Sequence, residues 1–381
     1  VTATGAADEV DALSTLAISA TGAGSVTMGE IGEAGAAILT SISLTATSGG
    51  DIDLNEINTS IDMTSITLSA TGAGSTIDVG DTEVGIVTGG SAITTYAVTA
   101  TDGGSITLSD AEDLEATDIT SFSINANGVG SSVAWVDLTA ADTTSAEITS
   151  LEIGANGTAS SLDLTGVTFD VATIDSLDID VADYATLTVS ANESPSNFSS
   201  DVSMESLTID LAANAVLTTG ANDPNLNITA LDFGKIDITL GADVALTTEE
   251  IKILADNEAS HIDVLNLDVS SAAGDVIIDL KAAEIVSVSG TVVVLIGDDE
   301  ATEAPIASIV AGSIVASTAG EATVDLGEAS GTFSVVTGAG ADTITSGDGN
   351  DTISTGAGAD VITIVTGGTD KITGGSGADD F

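Results

Sequence analysis

The chain has 381 residues and carries 59 aspartates and glutamates against four lysines, a formal charge of −55, so it cannot neutralise phosphates, and nucleic acid or a basic patch on an anionic bilayer is excluded as a partner. Hydrophobic residues make up 43% but aromatic ones only 2%, which excludes a disordered chain and calls for a thin aliphatic interior. Cysteine is absent, and no apolar run reaches membrane-spanning length, which excludes disulfides and direct membrane insertion.

The chain opens VTATGAADEV, without methionine, a charged n-region or an h-region. The expectation is that an N-terminal part is missing or that export is directed from the other end. A repeat then runs through the first half: SISLTATSGGDIDL, SITLSATGAGSTIDV, TYAVTATDGGSITL and SFSINANGVGSSVAWV. Its alanine falls at Ala20, Ala46, Ala70, Ala100, Ala126 and Ala155. Within one unit Ile66, Leu68 and Ala70 alternate with Thr67 and Ser69; a Gly-rich corner follows, then a second alternating stretch with Ile77 and Val79. A period of two with β-branched residues is strand chemistry, and Gly/Ser/Asp clusters are turns.

Units of this size, each holding two or three strands, predict an all-β fold in which every unit is one turn of an elongated parallel β-solenoid (a β-helix). Stacked coils lie about 4.8 Å apart, so identical positions sit on one another and only small residues fit the bends. A β-sandwich of short, regularly spaced strands is the rival, but sandwiches rarely repeat their corner sequence. Residues 1–170 read as regular coils with ATGAGS-type corners. Residues 171–330 keep the rhythm in divergent form, as in SLDIDVADYATLTV and KIDITLGADVALTT. Helical turns are predicted only near TTEEIKILADNEA, residues 247–259.

Residues 331–381 carry a different, nine-residue repeat. Aligned on Gly-x-Gly-x-Asp, its units are Gly338, Gly340, Asp342; Gly347, Gly349, Asp351; and Gly356, Gly358, Asp360. An isoleucine stands two places after each aspartate, at Ile344, Ile353 and Ile362. A damaged unit, one residue short, holds Gly367, Gly368, Asp370 and Ile372, and a last one holds Gly374, Gly375, Gly377 and Asp379, with Phe381 at the apolar place. The glycines let a turn aim carbonyl oxygens inward, the aspartate adds a hard anionic oxygen, and the isoleucine plugs the core. Oxygen-only ligands select Ca²⁺ over transition metals. One coil offers too few ligands, so stacked coils must share each ion. Bound cations would also relieve the self-repulsion of so acidic a chain.

This pattern resembles the RTX family, whose GGxGxDxUx nonapeptides form a calcium-bound parallel β-roll. The resemblance implies that turn carbonyls and the carboxylates of Asp342, Asp351, Asp360, Asp370 and Asp379 bind several calcium ions between alternate turns, with Asp348 and Asn350 at variable places beside them. The first glycine of the usual pair is replaced by Thr337, Ser346 and Thr355. The resemblance also implies type I secretion and an extracellular location. More loosely, in composition and architecture, the rest resembles the Thr/Ala/Gly-rich, calcium-dependent S-layer proteins of Gram-negative bacteria.

Other acidic groups recur at places read as coil corners: Asp51, Asp53 and Glu56; Asp78, Asp81 and Glu83; Asp110, Glu112 and Asp113. Further calcium and an ordinary solvated acidic face are both open for them. Asp298, Asp299, Glu300 and Glu303 read as an exposed loop, His261 as a surface or packing histidine, and Trp135 as a packing residue. No catalytic residue is expected: lyase chemistry on anionic sugars needs arginine or lysine and a base, and this chain has no arginine, one histidine and two tyrosines. The expected function is therefore structural: a calcium-dependent surface protein assembling with itself into an S-layer, sheet or filament. An RTX adhesin or extracellular matrix protein mediating attachment is the alternative. Contact with cell-surface polysaccharide is assigned to a segment outside this sequence.

Overall fold

The computed structural model describes residues 15–31, 40–58, 64–84, 92–109, 113–114, 118–136, 143–165, 169–190, 198–200, 204–212, 215–219, 226–230, 233–240, 245–246, 251–255, 261–268, 275–279, 291–298, 308–316, 321–326, 331–365 and 367–381. Among them every regular element is a strand, and the chain is a parallel β-solenoid. It divides into two compact units, Val1–Ser199 with Gly220–Asp223 and Ser200–Thr219 with Pro224–Phe381.

In the first unit each coil lays one strand in each of two sheets. Thr15–Thr21, Ser41–Thr47, Ser65–Thr71, Ala92–Thr101 and Asp118–Asn127 follow one another in one sheet; Ser25–Ile31, Asp51–Asn58, Thr76–Val84, Ser105–Ser109 and Ser132–Val136 do so in the other. The register stacks Ala20 on Ala46, Ala70, Ala100 and Ala126. Alternation therefore becomes two faces. Ile42, Leu44, Ile66 and Leu68 point inward and are buried, while Ser43, Thr45, Thr67 and Ser69 lie on the outer face. Each buried aliphatic side chain contributes roughly 1.5–3 kcal/mol, and stacking repeats that gain coil after coil.

The corners explain the small residues. Ser48 (φ 56°) and Asp102 (φ 51°) adopt the left-handed region that glycine fills in other corners, such as Gly72 (φ 89°). A side chain at Gly50 would place its Cβ 2.2 Å from the Ala20 carbonyl oxygen, and one at Gly104 2.1 Å from that of Ala70. Between them in the same column stands Ser75, and after Gly104 comes Ser131. The Ser75 hydroxyl accepts the Gly49 N–H of the preceding coil (3.0 Å) and donates to Thr71 O (2.7 Å). Ser131 does the same with Gly103 N–H (3.1 Å) and Asn127 O (2.6 Å). The inner corner thus holds either no side chain or a hydroxyl that ties two coils together.

The few aromatics also stack. Tyr96 and Phe122 face each other across successive coils at 4.8 Å, with Trp135 5.8 Å from Phe122, all three fully buried. Burial pushes the Tyr96 phenol up. Trp135 is a packing residue, as read from the sequence.

In the second unit Met204–Leu211, Phe233–Leu240, His261–Asp268, Ser308–Ala316, Thr332–Thr337, Thr352–Ser354 and Lys371–Thr373 pair in succession. The segment predicted to form helical turns contains a strand instead, Ile251–Ala255, paired with Leu226–Ala230 and with Thr291–Asp298. Its alternating Ile251 and Ile253 fill the core, so burial overrides the helical propensity of its neighbours. Lys235 pairs with Asp237, whose other oxygen accepts from Asn266 at 2.6 Å. Burial raises this carboxyl, but those two partners outweigh it and hold Asp237 below the usual range.

Candidate metal centre

The nonapeptide region continues the sheets of the coils before it. Thr332–Thr337 pairs with Ser308–Ala316, and Thr343–Thr345 with Ala322–Asp325. Coils that stepped by 29 residues, as from Asp237 to Asn266, now step by 18, as from Phe333 to Asp351. Each nine-residue half-coil is a three-residue strand and a turn. Ile344, Ile353 and Ile362 are buried on the strands, so the period of nine delivers one core residue per half-coil.

Alternate turns stack, which separates the predicted site residues into two columns. Gly338, Gly340 and Asp342 lie beneath Gly356, Gly358 and Asp360, and these beneath Gly375, Gly377 and Asp379. Gly349 and Asp351 stack with Gly368 and Asp370, and Gly367 lies against Asp348. Ala357 N–H donates to Gly338 O (2.8 Å), and Ser376 N–H to Gly356 O (2.9 Å). The glycines are required by this close approach. A Cβ on Gly358 would lie 1.6 Å from Gly340 O, and one on Gly377 1.4 Å from Gly358 O.

The aspartates form a ladder. In each, Oδ1 accepts an amide N–H from the coil below: Asp342 from Ala322 (2.9 Å), Asp351 from Phe333 (3.0 Å), Asp360 from Asp342 (3.0 Å), Asp370 from Asp351 (3.0 Å) and Asp379 from Asp360 (3.3 Å). Asp370 keeps this position although its Gly-x-Gly turn is one residue short, because Ile364 and Val365 lengthen the chain ahead of it and its coil steps by 19 residues. Asp342, Asp351 and Asp360 are buried, while Asp348 is exposed and Asp379 half-exposed. Burial first, and then the neighbouring Asp370 charge, push the Asp351 carboxyl above its ordinary value against the amides of Phe333 and Gly347.

Residues the repeat pattern passed over also belong here. Thr337, Ser346 and Thr355 are buried. Thr337 Oγ1 donates to Asp342 Oδ2 (2.6 Å), Thr355 Oγ1 to Gly374 O (3.0 Å), and Ser346 Oγ accepts from Val365 N–H (3.1 Å). Their nine-residue spacing was the available signal. Asn350 Oδ1 accepts from Thr369 N–H at 2.7 Å, tying two turns of the second column.

This donor set fits calcium. Every candidate ligand is oxygen, and Asp360 Oδ2 is buried with no hydrogen-bond partner among the described residues. A buried carboxylate oxygen without a donor is unfavourable unless a cation faces it. Among the described residues no three acidic or histidine side chains converge, so turn carbonyls would have to complete any ligand shell.

Residues 334–362 and 364–381 match the family of the RTX calcium-binding nonapeptide repeat, in four copies. The C-terminal coils are RTX repeats. No curated protein and no solved structure is significantly similar to the chain. The RTX repeats support calcium binding by this region and an extracellular location.

Among the described residues, the other acidic groups read as corner residues are not at corners. The Gly-rich segments make the bends, so Asp51, Asp53 and Asp78 fall on the strands that follow, with Asp53 beside Asp78 and Glu56 beside Asp81 in register, and Glu83 beside Asp113. Asp53 and Asp78 are exposed, and Thr76 Oγ1 bonds Asp51. Asp110, Glu112, Asp299, Glu300 and Glu303 lie outside the described residues. His261 opens the strand His261–Asp268, opposite Ser308.

Proposed function

We propose that this protein is a calcium-dependent structural component of the bacterial cell surface that assembles with copies of itself into an S-layer or a similar sheet or filament. The observation that carries the reading is the separation of charge on the coils between Ser41 and Thr101. Over three successive coils the outer positions of one sheet are Ser41, Ser43, Thr45, Thr47; Ser65, Thr67, Ser69, Thr71; and Thr95, Ala97, Thr99, Thr101, without a charged residue, whereas later strands of the same sheet expose Glu147, Glu152 and Asp178. The opposite sheet presents Asp51, Asp53 and Asp78. On a chain of net charge −55, a neutral face is where a second copy approaches without repulsion, and an acidic face is where divalent cations can bridge copies.

Calcium, when bound, supplies a doubly charged hard centre that gathers oxygens of successive turns and lowers local charge. The carboxylates of Asp342, Asp351, Asp360, Asp370 and Asp379, with the turn carbonyls, are the groups that would hold it. The glycine columns keep those carbonyls close, and the buried isoleucines keep the turns in register. The reading is non-enzymatic, in keeping with a chain that has no arginine and one histidine.

The test is a calcium titration of the purified protein, following β-structure by circular dichroism and particle size by light scattering, with electron microscopy of any product. Ordering followed by growth into sheets or fibres, reversed by chelator, supports the proposal. Ordering without growth favours an adhesin or matrix protein. No response of either signal would overturn the calcium-dependent reading altogether.

A further inference from the structure

We propose that the RTX turns are not equivalent: the Asp342 turn is closed by the hydroxyl of Thr337 and needs no ion, so ordering by calcium begins at the turn that ends in Asp360. This rests on the reading of the turns as calcium sites and adds an order to them.

The two turns have the same sequence, TGAGAD, at residues 337–342 and 355–360, and stack in one column. Sequence alone would make them identical. Their bonding differs. Asp342 has a donor for each oxygen, Ala322 N–H at 2.9 Å on Oδ1 and Thr337 Oγ1 at 2.6 Å on Oδ2. Thr337 Oγ1 also lies 3.1 Å from Thr355 O, the counterpart of the Thr355 contact with Gly374 O, but its one hydrogen goes to the shorter contact, with Asp342 Oδ2. Thr355 directs its hydroxyl to Gly374 O at 3.0 Å. Asp360 then keeps one donor, Asp342 N–H at 3.0 Å on Oδ1, and its buried Oδ2 has none among the described residues.

The Asp351 turn in the other column resembles the Asp342 turn in this respect. Its oxygens accept from Phe333 N–H (3.0 Å) and Gly347 N–H (3.2 Å). A carboxylate with both oxygens paired can stay buried without metal, whereas one with a bare buried oxygen is held out of place until a cation arrives. The coils through Asp351 are therefore a metal-independent edge on which the later coils order. This edge pairs directly with the strands Ser308–Ala316 and Ala322–Asp325, which carry no RTX turn. A parallel coil needs a neighbour to pair with, so the edge acts as template.

The experiment is hydrogen–deuterium exchange with mass spectrometry on the full chain, in chelator and at increasing calcium. In chelator the backbone of residues 337–345 exchanges slowly, and that of 355–363 exchanges roughly tenfold faster or more, as a locally open segment does. The first calcium to bind slows 355–363. Thr337→Val removes the hydroxyl, and residues 337–345 then become fast in chelator and slow again with calcium; Thr337→Ser, which keeps the hydroxyl, behaves like the parent. Asp360→Asn abolishes the first calcium-dependent step while leaving 337–345 protected. Equal exchange of the two segments in chelator, or no change in Thr337→Val, would overturn the proposed order. If calcium slows every turn at one concentration, the order fails but the calcium reading stands. If it slows none, both fail.

Discussion

Gly358→Ala puts one methyl group into the tightest part of the roll. Its Cβ would lie 1.6 Å from Gly340 O, below, and 2.6 Å from Asp360 Oδ1. Neither neighbour can rotate away: one is backbone, and the other is fixed by the Asp342 N–H at 3.0 Å. The turn must lift off the coil beneath it, loosening the Ala357 N–H to Gly338 O bond (2.8 Å) and displacing Asp360. Overpacking against groups that can yield costs about 1–3 kcal/mol; against rigid backbone with a carboxylate moved as well, the upper end applies. About 3 kcal/mol corresponds to a roughly hundredfold rise in the calcium concentration at half-ordering, if ordering and binding are one event. Gly130→Ala is the comparison. Gly130 has φ 69° and nothing within 4 Å of the added Cβ, so only left-handed strain of about 1–2 kcal/mol applies, and it acts on the first unit. Circular dichroism against free calcium measures the first, and the thermal transition of the first unit measures the second. A Gly358→Ala midpoint within a factor of three of the parent would refute the argument that the glycine columns exist for close approach.

Ile353→Ala opens a cavity where Val335 and Ile372 flank it in register; with calcium present, thermal unfolding of the second unit should show a loss of about 2–5 kcal/mol. Ser131→Ala removes the acceptor of the half-buried Gly103 N–H and the donor to Asn127 O, and the first unit should lose about 1 kcal/mol in denaturant titration, the net contribution of a typical hydrogen bond. Asp351 supplies a pH test. Its folded carboxyl is raised, so without metal its contribution favours the fold below its unfolded pKa and is lost as pH rises through the folded value. In chelator, acidification from neutral pH to about pH 4 should therefore stabilise the parent more than Asp351→Asn. In calcium the same acidification should weaken ordering of the parent, because a protonated carboxyl no longer attracts the ion. A variant and parent with parallel melting profiles in chelator would show that the buried Asp351 is not the group responsible.

The solenoid was legible because its signal is repetition. Alanines at Ala46, Ala70 and Ala100 stack as their spacing implied, and the period-two alternation set the buried face. The nonapeptide glycines and aspartates were legible for the same reason. What the sequence hid is set between coils. Nothing in the chain order says that Asp370 regains its column through two residues ahead of its turn, or that Ser75 and Ser131 reach back to amides of the preceding coil. The acidic residues were misplaced because a corner and the strand after it adjoin in sequence: Asp51 follows Gly50 directly, yet it begins a strand. The TTEEIKILADNEA segment misled because local propensity favours a helix where only the burial of Ile251 and Ile253 in stacked coils decides for a strand.

The shortening of the coils explains why buried carboxylates enter the nonapeptide turns. Upstream, Phe233–Leu240 buries Phe233, Ile236, Ile238 and Leu240 in a single strand. The nonapeptide strands Thr343–Thr345, Thr352–Ser354 and Val361–Thr363 bury one each, Ile344, Ile353 and Ile362. At roughly 1.5–3 kcal/mol per buried aliphatic side chain, the apolar gain per strand falls several-fold, while the backbone entropy lost per residue stays at about 1–2 kcal/mol. The deficit is met in the turns. There the buried positions go to Asp342, Asp351 and Asp360, groups whose burial is unfavourable without partners and favourable around a divalent ion. Ordering of the narrow coils from the Asp360 turn onward is thereby tied to calcium, because the buried Asp360 Oδ2 has no hydrogen-bond partner among the described residues, while the wide coils of the first unit are stacked on aliphatic side chains and serine bridges. The same chain can then be folded along one stretch while the other stretch orders only with its ion.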